Sequence, residues 1–389
     1  MMSLEEYRSE IYRCAKCALC TQEWGTFMPT CPPAVRFGFE SYYLMGRIEI
    51  ARGFLDGTLD KKSENLSKII YTCTECKACE EQCYTITGMK LLECTAELKS
   101  TLVEAGLTPP KIRDFLENID RQGNPYGEPR GKRGDWSKGT KIKRYERGDE
   151  FLYHIGDVGS YDTRSQDAAR ALGEILTKAS LSFGILGDDE ECDGNEVHML
   201  GEAGLFDLLV EKNTQKFKDL GAKKIVTLSP HAYNAFKNDY PKDFEVMHYT
   251  QLLRDLIKDG RLDLSNKIDV KVTYHDPCFL GRYNSEYDAP REILKAIPGV
   301  ELIEIERNRE NAFCCGGGGG NFYTDFLGGG EDSPARIRVR EAYETGAEIL
   351  AVACPVCLTM LNDAVTVEGL EEKLKVKDVS EIVRESQVK

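Results

Sequence analysis

Eight cysteines near the start of the chain have the spacing of iron–sulfur ligands. Cys14, Cys17 and Cys20 are separated by two residues each, and so are Cys73, Cys76 and Cys79. Such a triad wraps one corner of a cubane cluster, and in two-cluster ferredoxins the distant fourth cysteine ligates the other cluster. The spacing therefore predicts two 4Fe–4S cubane clusters with crossed fourth ligands. The first set of ligands is Cys14, Cys17, Cys20 and Cys83, and the second set is Cys73, Cys76, Cys79 and Cys31.

Two features depart from the usual ferredoxin pattern. Ten residues separate Cys20 from Cys31, where three are usual, which predicts an inserted loop. Tyr84 follows Cys83, where proline is usual. Neither change removes a ligand. The alternative is zinc binding, but zinc sites use pairs of cysteines rather than triads with a trailing fourth thiol.

A third group of cysteines lies near the end of the chain and contains five members. They are Cys278, Cys314, Cys315, Cys354 and Cys357, here called the third set. Each follows a predicted strand, and in an open α/β sheet these turns line the ligand-binding edge. Five thiolates exceed the four that a cubane uses, so the cluster is expected to have an unusual geometry. The run Gly316–Gly320 would let backbone amides approach its sulfur atoms, and it lacks the Lys-Ser/Thr ending of a phosphate loop.

The elements around these cysteines change character near residue 150. Before it, helices are predicted at Phe39–Phe54, Leu91–Glu104 and Pro110–Ile119. After it, strands and helices alternate, which is typical of a parallel α/β sheet. The predicted strands are Phe151–Ile155, Phe183–Leu186, Lys224–Leu228, Val270–Tyr274, Val300–Ile305 and Ile349–Val352. The predicted helices are Thr163–Ala179, Leu205–Leu220, Tyr249–Lys258, Ala335–Thr345 and Cys357–Val365.

The second half of the chain also repeats itself. Short matching segments recur at nearly equal spacing, for instance Ser229-Pro230-His231-Ala232 and Cys354-Pro355-Val356-Cys357. The prediction is an α+β multidomain chain with a helical two-cluster domain at 1–120, a linker at 121–149, and α/β units at 150–265 and 266–389. The stretch 121–149 has nine basic and four acidic residues and is interpreted as an exposed connection. Docking of an acidic partner there is the less favoured alternative.

Composition excludes several classes of function. The net charge of −14 argues against a nucleic-acid partner, which would require a basic face. The chain opens without an apolar signal segment, and dense cysteine in a reducing compartment favours metal or redox chemistry. Its longest apolar stretch, Ile349–Leu361, is too short to span a bilayer, which takes about 20 residues. A cytoplasmic protein is expected, with any membrane association arising through a partner subunit.

The cysteine motifs resemble a known family. Cys278, the run Cys314-Cys315-Gly316 and the run Cys354-Pro355-Val356-Cys357 resemble the cysteine-rich CCG domain of heterodisulfide reductase. Two ferredoxin quartets followed by paired CCG units resemble the D-type subunit of that enzyme, which is equivalent to its C-type and B-type subunits fused. The resemblance implies that the third set holds a noncubane 4Fe–4S cluster that acts directly on a disulfide, with these five cysteines as the catalytic site.

The first α/β unit departs from this pattern at every ligand position but one. The corresponding residues, here called the altered set, are Asp157, Cys192, Asp193, Ser229 and Ala232. One thiolate cannot hold an iron–sulfur cluster, so the favoured interpretation is a scaffold that has lost its site. Binding of a divalent metal by Asp157, Cys192, Asp193 and His231 is the alternative.

Three further residues complete the set of candidates. His275 and Asp276 precede Cys278 and are interpreted either as proton donors for thiol products or, preferably, as groups that shape the cluster. Cys94 is expected to be a packed apolar residue in a helix.

Two functions follow from the motifs. In the first, electrons pass through two cubanes to a noncubane cluster that reduces a disulfide or thiol conjugate, as in a heterodisulfide reductase-like oxidoreductase. In the second, the chain is only an electron conduit between a dehydrogenase or flavoprotein and another carrier. The chain has no recognisable flavin, nicotinamide or quinone motif. Partner subunits are therefore expected, such as a flavoprotein, a dehydrogenase or a membrane cytochrome.

Overall fold

The computed structural model describes residues 3–20, 30–89 and 91–387. The loop predicted between Cys20 and Cys31 lies outside these residues, apart from Thr30. The N-terminal part is helical, as predicted. Its seven α-helices in the described residues are α1 (Arg8–Arg13), α2 (Pro32–Phe37), α3 (Leu44–Leu55), α4 (Glu64–Tyr71), α5 (Ala78–Thr87), α6 (Glu93–Glu104) and α7 (Pro110–Gln122).

The helix predicted at Phe39–Phe54 is divided in two. A 3₁₀ turn covers Glu40–Tyr42, Tyr43 is extended, and α3 begins at Leu44. The glycine at position 46 allows the turn to pack closely on α3, because a side chain there would overlap the backbone of Glu40 and Ser41. The other two helices lie within a few residues of their predicted bounds.

Two four-stranded parallel sheets follow, one in each unit. The first unit contains β1 (Phe151–His154), β2 (Phe183–Ile185), β3 (Lys224–Thr227) and β4 (Glu245–His248), in the order β2-β1-β3-β4. The second contains β5 (Val270–Tyr274), β6 (Val300–Leu302), β7 (Ile349–Val352) and β8 (Lys375–Asp378), in the order β6-β5-β7-β8. The identical order confirms the predicted repeat of two parallel α/β units.

Helices connect these strands and pack on the sheets. They are α8 (Asp157–Tyr161), α9 (Thr163–Lys178), α10 (Asn195–Met199), α11 (Ala203–Leu220), α12 (Pro230–Asn238), α13 (Tyr249–Lys258), α14 (Asp288–Ala296), α15 (Asn321–Thr324), α16 (Pro334–Glu344), α17 (Pro355–Val367) and α18 (Val379–Ser386). Strands β1 and β7 are buried along their whole length, which explains their continuous apolar sequences.

The edge strands β4 and β8 are not predicted from the sequence. Each is short and mixes charged with apolar residues, as in Lys375-Val376-Lys377-Asp378. Edge strands carry such charges because one side of them has no neighbour in the sheet. They are recognised only through their parallel pairing with β3 and β7.

The two units share one core. Apolar residues of the first sheet, such as Tyr153 and Val226, belong to the same buried cluster as Val272 and Tyr274 of the second. A buried hydrogen bond from the Tyr249 hydroxyl to Asp378 Oδ1 (2.7 Å) also joins the units. The ligand-bearing turns of both units are therefore held in a fixed relation.

The interpretation of 121–149 as an exposed connection is wrong for part of that stretch. Asn124, Arg133, Trp136 and Tyr145 are buried. Trp136 packs edge-on against Tyr153 of β1, and the Tyr145 amide donates to the Ile185 carbonyl of β2 (3.0 Å). The stretch thus closes one side of the first unit, whereas the domain boundaries remain a prediction.

Within the described residues, no helix combines the length and the apolar character needed to cross a membrane.

Candidate functional site

The first set of cysteines surrounds a cavity at the surface. Cys14, Cys17 and Cys20 lie in the turn after α1, and Cys83 reaches them from α5. All four line one cavity of about 240 Å³. Cys17 is exposed, whereas Cys20 is buried. Burial raises the pKa of Cys20 to about 12, and the neighbouring thiol of Cys83 adds to the shift.

The second set lies deeper. Cys73, Cys76 and Cys79 occupy the turn before α5 and its first residues, and Cys31 precedes α2. All four are buried. Burial raises the pKa of Cys31 to about 12, with Cys76 and Cys73 among the nearby groups that contribute. Cys31 therefore lies beside the second triad and Cys83 beside the first, in the crossed arrangement that the spacing predicts.

Both triads have the same backbone conformation. Lys16 and Glu75, two residues after the first cysteine of each triad, have φ angles of 57° and 50°. Ala18 and Lys77, one residue after the second cysteine, have φ angles of 61° and 65°. This left-handed conformation costs a non-glycine residue roughly 1–2 kcal/mol. Alternation of this kind turns successive N–H groups inward, which suits a negatively charged cluster.

The third set converges at the carboxyl edge of the second sheet. Cys278 follows β5, Cys354 caps α17, and Cys357 lies in its first turn. Cys315 Sγ lies 3.4 Å from Cys357 Sγ, and the Gly316 amide donates to Cys314 Sγ (3.3 Å). The neighbouring thiols of Cys278 and Cys315 raise the pKa of Cys314, and those of Cys315 and Cys354 raise the pKa of Cys357. The structure thus brings all five thiols together.

His275 reaches this group from the end of β5. Ligand atoms of His275, Cys315 and Cys357 lie within 4.8 Å of one another, the one such convergence of three histidine, cysteine or acidic groups among the described residues. Arg338 Nε donates to His275 Nδ1 (3.1 Å), so Nδ1 is an acceptor and the ring proton lies on Nε2. Burial lowers the pKa of His275, although the neighbouring Cys315 opposes the shift. This geometry favours a neutral hydrogen-bond donor to Cys315 over a proton-delivering acid.

Asp276 is committed elsewhere. Its carboxylate makes a two-fold contact with Arg291 (2.6 and 2.9 Å) and accepts the Arg309 amide (2.8 Å). The Asp276 carboxylate therefore holds the loop after β6 in place and is not directed to the sulfur atoms of the third set. Cys94 is buried in α6, outside the three sets, as expected of a packed residue.

Comparison with known proteins agrees with this arrangement. The family model described as "Cysteine-rich domain" (CCG) matches residues 152–237 and 272–362, and the "4Fe-4S dicluster domain" matches residues 10–85. The D-type subunit of the dihydromethanophenazine:CoB–CoM heterodisulfide reductase of Methanosarcina barkeri is 31% identical, over 83% of this chain and 79% of that protein. The chain belongs to the heterodisulfide reductase D-like family. It carries two cysteine-rich domains and one 4Fe-4S dicluster domain.

Other members of the family are more similar in sequence but longer. The probable iron-sulfur-binding oxidoreductase FadF of Bacillus subtilis is 39% identical, and the EtfAB:quinone oxidoreductase of Syntrophomonas wolfei is 37% identical. Each alignment covers 82% of this chain and 46% of the relative. The chain therefore spans less than half the length of these two relatives.

In this family member the altered set is closed by an arginine. Arg133 Nη1 lies 2.7 Å from Asp157 Oδ1, and Nη2 lies 3.1 Å from Glu190 Oε1, all three side chains being buried. Asp157, Cys192, Asp193 and Ser229 line a cavity of only about 30 Å³, against about 240 Å³ at the first set. Such a space suits about one water molecule. The guanidinium supplies the positive charge that a metal ion would otherwise bring.

The buried arginines near the cysteine sets were not recognised from the sequence, among them Arg47, Arg133 and Arg282. Arg133 lies in the stretch interpreted as a linker, and Arg282 follows Cys278 by four residues. Arg47 hydrogen-bonds the Tyr42 carbonyl (2.7 Å) and faces the second set. Isolated arginines carry no motif, so only their burial beside thiols or carboxylates reveals a role.

The altered set provides a test of the favoured interpretation. Because Arg133 already neutralises Asp157 and the cavity is small, we expect the Cys192→Ala/Asp193→Asn double variant to retain the wild-type iron and zinc content by plasma mass spectrometry. Cys357→Ala serves as the positive control for metal loss. A fall in either metal in the double variant, with its circular dichroism spectrum unchanged, would contradict the scaffold interpretation.

Proposed function

We propose that this chain is the iron–sulfur component of a redox complex in which two 4Fe–4S cubanes relay electrons to a noncubane 4Fe–4S cluster that reduces a disulfide or thiol conjugate. The first and second sets are the ligands of the cubanes, and the third set is the ligand group and catalytic site. Clusters supply one-electron steps, whereas cleavage of a disulfide takes two electrons. The support for this proposal comes from the residues at which the second set and the third set meet.

The observation that carries the proposal is a direct contact between these two sets. Cys76 of the second set lies against Cys314 of the third, and this neighbouring thiol lowers the pKa of Cys76 to about 5. Cys76, Cys278 and Cys314 also share one small buried apolar cluster with Phe279. The two ligand groups touch at this point, which favours electron exchange between them.

Arg282 connects the two groups. Its Nε donates to the Cys76 carbonyl (2.6 Å), and its Nη1 donates to the Ala312 carbonyl (2.8 Å). Nη2 is buried and has no hydrogen-bond partner among the described residues, so it remains able to donate to cluster sulfur. Burial alone would lower the pKa of Arg282, yet nearby Cys76, Cys278 and Cys314 raise it. A fixed positive charge between the two sets favours added negative charge there.

The first set is placed to receive electrons. Cys17 is exposed and Cys14 is half-buried, whereas every cysteine of the other two sets is buried. A partner protein can therefore approach the first set most closely. The relative named EtfAB:quinone oxidoreductase supports redox partners for this chain as well. A flavoprotein, a dehydrogenase or a membrane cytochrome remains the kind of partner that the sequence predicts.

A second candidate is electron conduction without a substrate. Four cysteines of the third set, Cys314, Cys315, Cys354 and Cys357, are at most 3% exposed. Arg133 pairs with Asp157 of the altered set, and the chain has a single complete five-cysteine group. Both observations favour a third cluster that passes electrons onward.

Iron content tests the ligand assignment. We expect about twelve iron atoms per chain, the sum of three four-iron clusters. Cys357→Ala should lose about four of them and retain the electron paramagnetic resonance signals of the cubanes. Cys94→Ala, which removes a buried cysteine outside the three sets, should lose none. A wild-type content of about eight iron atoms would rule out the third cluster.

Thiol addition separates the two candidates. If the third cluster binds a sulfur substrate, its resonance signal in the oxidised protein should change when 2-mercaptoethanol, cysteine or a cysteine-bearing partner protein is added. Cys357→Ala controls for effects of thiols on the cubanes. A signal that ignores every thiol would leave electron conduction as the function.

Glycine substitution tests the contact between the two sets. A Cβ atom at Gly318 would overlap the Thr74 carbonyl oxygen, so Gly318→Ala should destabilise the protein by about 1–3 kcal/mol, as overpacking does, and slow reduction of the third cluster by the second. Thermal unfolding and stopped-flow reduction measure the two effects. Gly329→Ala is the matched control, because a Cβ there meets no atom within 4 Å. Equal reduction rates in both variants would argue against this route.

A further inference from the structure

We infer that the first α/β unit contributes a working residue to the site of the second: His231, held by Glu196, is a positioning hydrogen-bond donor to Cys354 that raises the reduction potential of the third cluster. The inference rests on the proposed ligand role of the third set. It concerns a residue of the unit whose own ligands are lost.

His231 occupies the corresponding position to Val356 in the repeat. It lies in the first turn of α12, after Ser229 and Pro230, as Val356 follows Cys354 and Pro355 in α17. Both residues line the same cavity of about 30 Å³ between the two units. The repeat thus directs the two helix starts toward each other and brings the imidazole to the cysteine of the opposite unit.

The imidazole contacts both a carboxylate and a thiol. His231 Nδ1 lies 2.8 Å from Glu196 Oε1, which leaves Nε2 available to Cys354. Burial alone would lower the pKa of His231, but the neighbouring Cys354 and Glu196 raise it. The side chains of His231 and Cys354 are buried, and the imidazole packs against Phe279 at 4.5 Å between ring centroids. A hydrogen bond to a buried sulfur ligand is one of the protein's means of setting a cluster potential.

Glu196 fixes the ring from behind. Its Oε2 accepts the amide of Gly320 (2.6 Å), the last residue of the glycine run. Burial alone would raise the pKa of Glu196, but His231 and the Gly320 amide lower it below its usual value, so the carboxylate is ionised. The pair therefore connects the first unit to the glycine run as well as to Cys354.

A purely structural role predicts a different set of contacts. A histidine that only neutralised Glu196 would need no sulfur neighbour. His198 is a comparable histidine that pairs with a carboxylate, because its Nδ1 lies 3.6 Å from Asp239 Oδ2. His231 differs because its second partner is a member of the third set. Through this contact the first unit contributes to the site of the second, although its own set of five ligands is incomplete.

The test is a potentiometric titration of the third cluster, followed by electron paramagnetic resonance, in His231→Leu, His231→Gln and His198→Gln. Leucine removes the donor, glutamine retains an N–H group, and His198→Gln is the matched control. We expect a more negative potential in His231→Leu, a smaller shift in His231→Gln, and none in the control, because hydrogen bonds to sulfur stabilise the reduced cluster.

Iron content decides the remaining outcomes. An unchanged potential in a His231→Leu protein with full iron would overturn the inference and leave the proposed function intact. If His231→Leu loses the cluster, His231→Gln must retain it with a shifted potential, and loss in both variants would overturn the inference. A wild-type protein with about eight iron atoms would instead overturn the proposed function.

Discussion

The close approach of the Gly316–Gly320 run to the backbone of Cys73 and Thr74 is the contact on which the rest of the structure depends. A Cβ atom at Gly318 or Gly319 would overlap the carbonyl oxygens of these residues. Only bare backbone allows the turn that bears Cys314 and Cys315 to lie against the turn that bears Cys76. The same run receives Glu196 at Gly320, so one segment joins the helical domain to both α/β units.

Cationic and imidazole side chains lie near the buried thiols of the second and third sets. Arg47 faces the second set, and Arg282 lies between the second and third. Arg338 acts through His275 on Cys315, and His231 contacts Cys354. A buried charge is tolerated only when it is paired or hydrogen-bonded. These groups are therefore as much a part of the sites as the cysteines.

The two α/β units show how a repeat can keep its fold while changing its chemistry. Strand order and the paired helices α12 and α17 are retained. Asp157 stands where the second unit has Cys278, and Arg133 pairs with it from a segment outside the repeat. An ion pair occupies the altered set, and the sheets and their shared core lie behind this edge.

The sequence by itself determined the three cysteine sets, the parallel α/β repeat and the altered ligand positions. Spacing and periodicity are local properties, and local properties are what a single sequence displays. Only the tertiary structure decided which groups surround the sulfur atoms. Arg133 and Arg282 come from segments remote in sequence from most of the cysteines and carboxylates they contact, so no local pattern indicates them. The repeat pointed to His231, but only the structure places it beside Cys354 of the other unit. The edge strands β4 and β8 and the burial of Trp136 were not predicted for the same reason. Their positions depend on long-range packing rather than on their own residues.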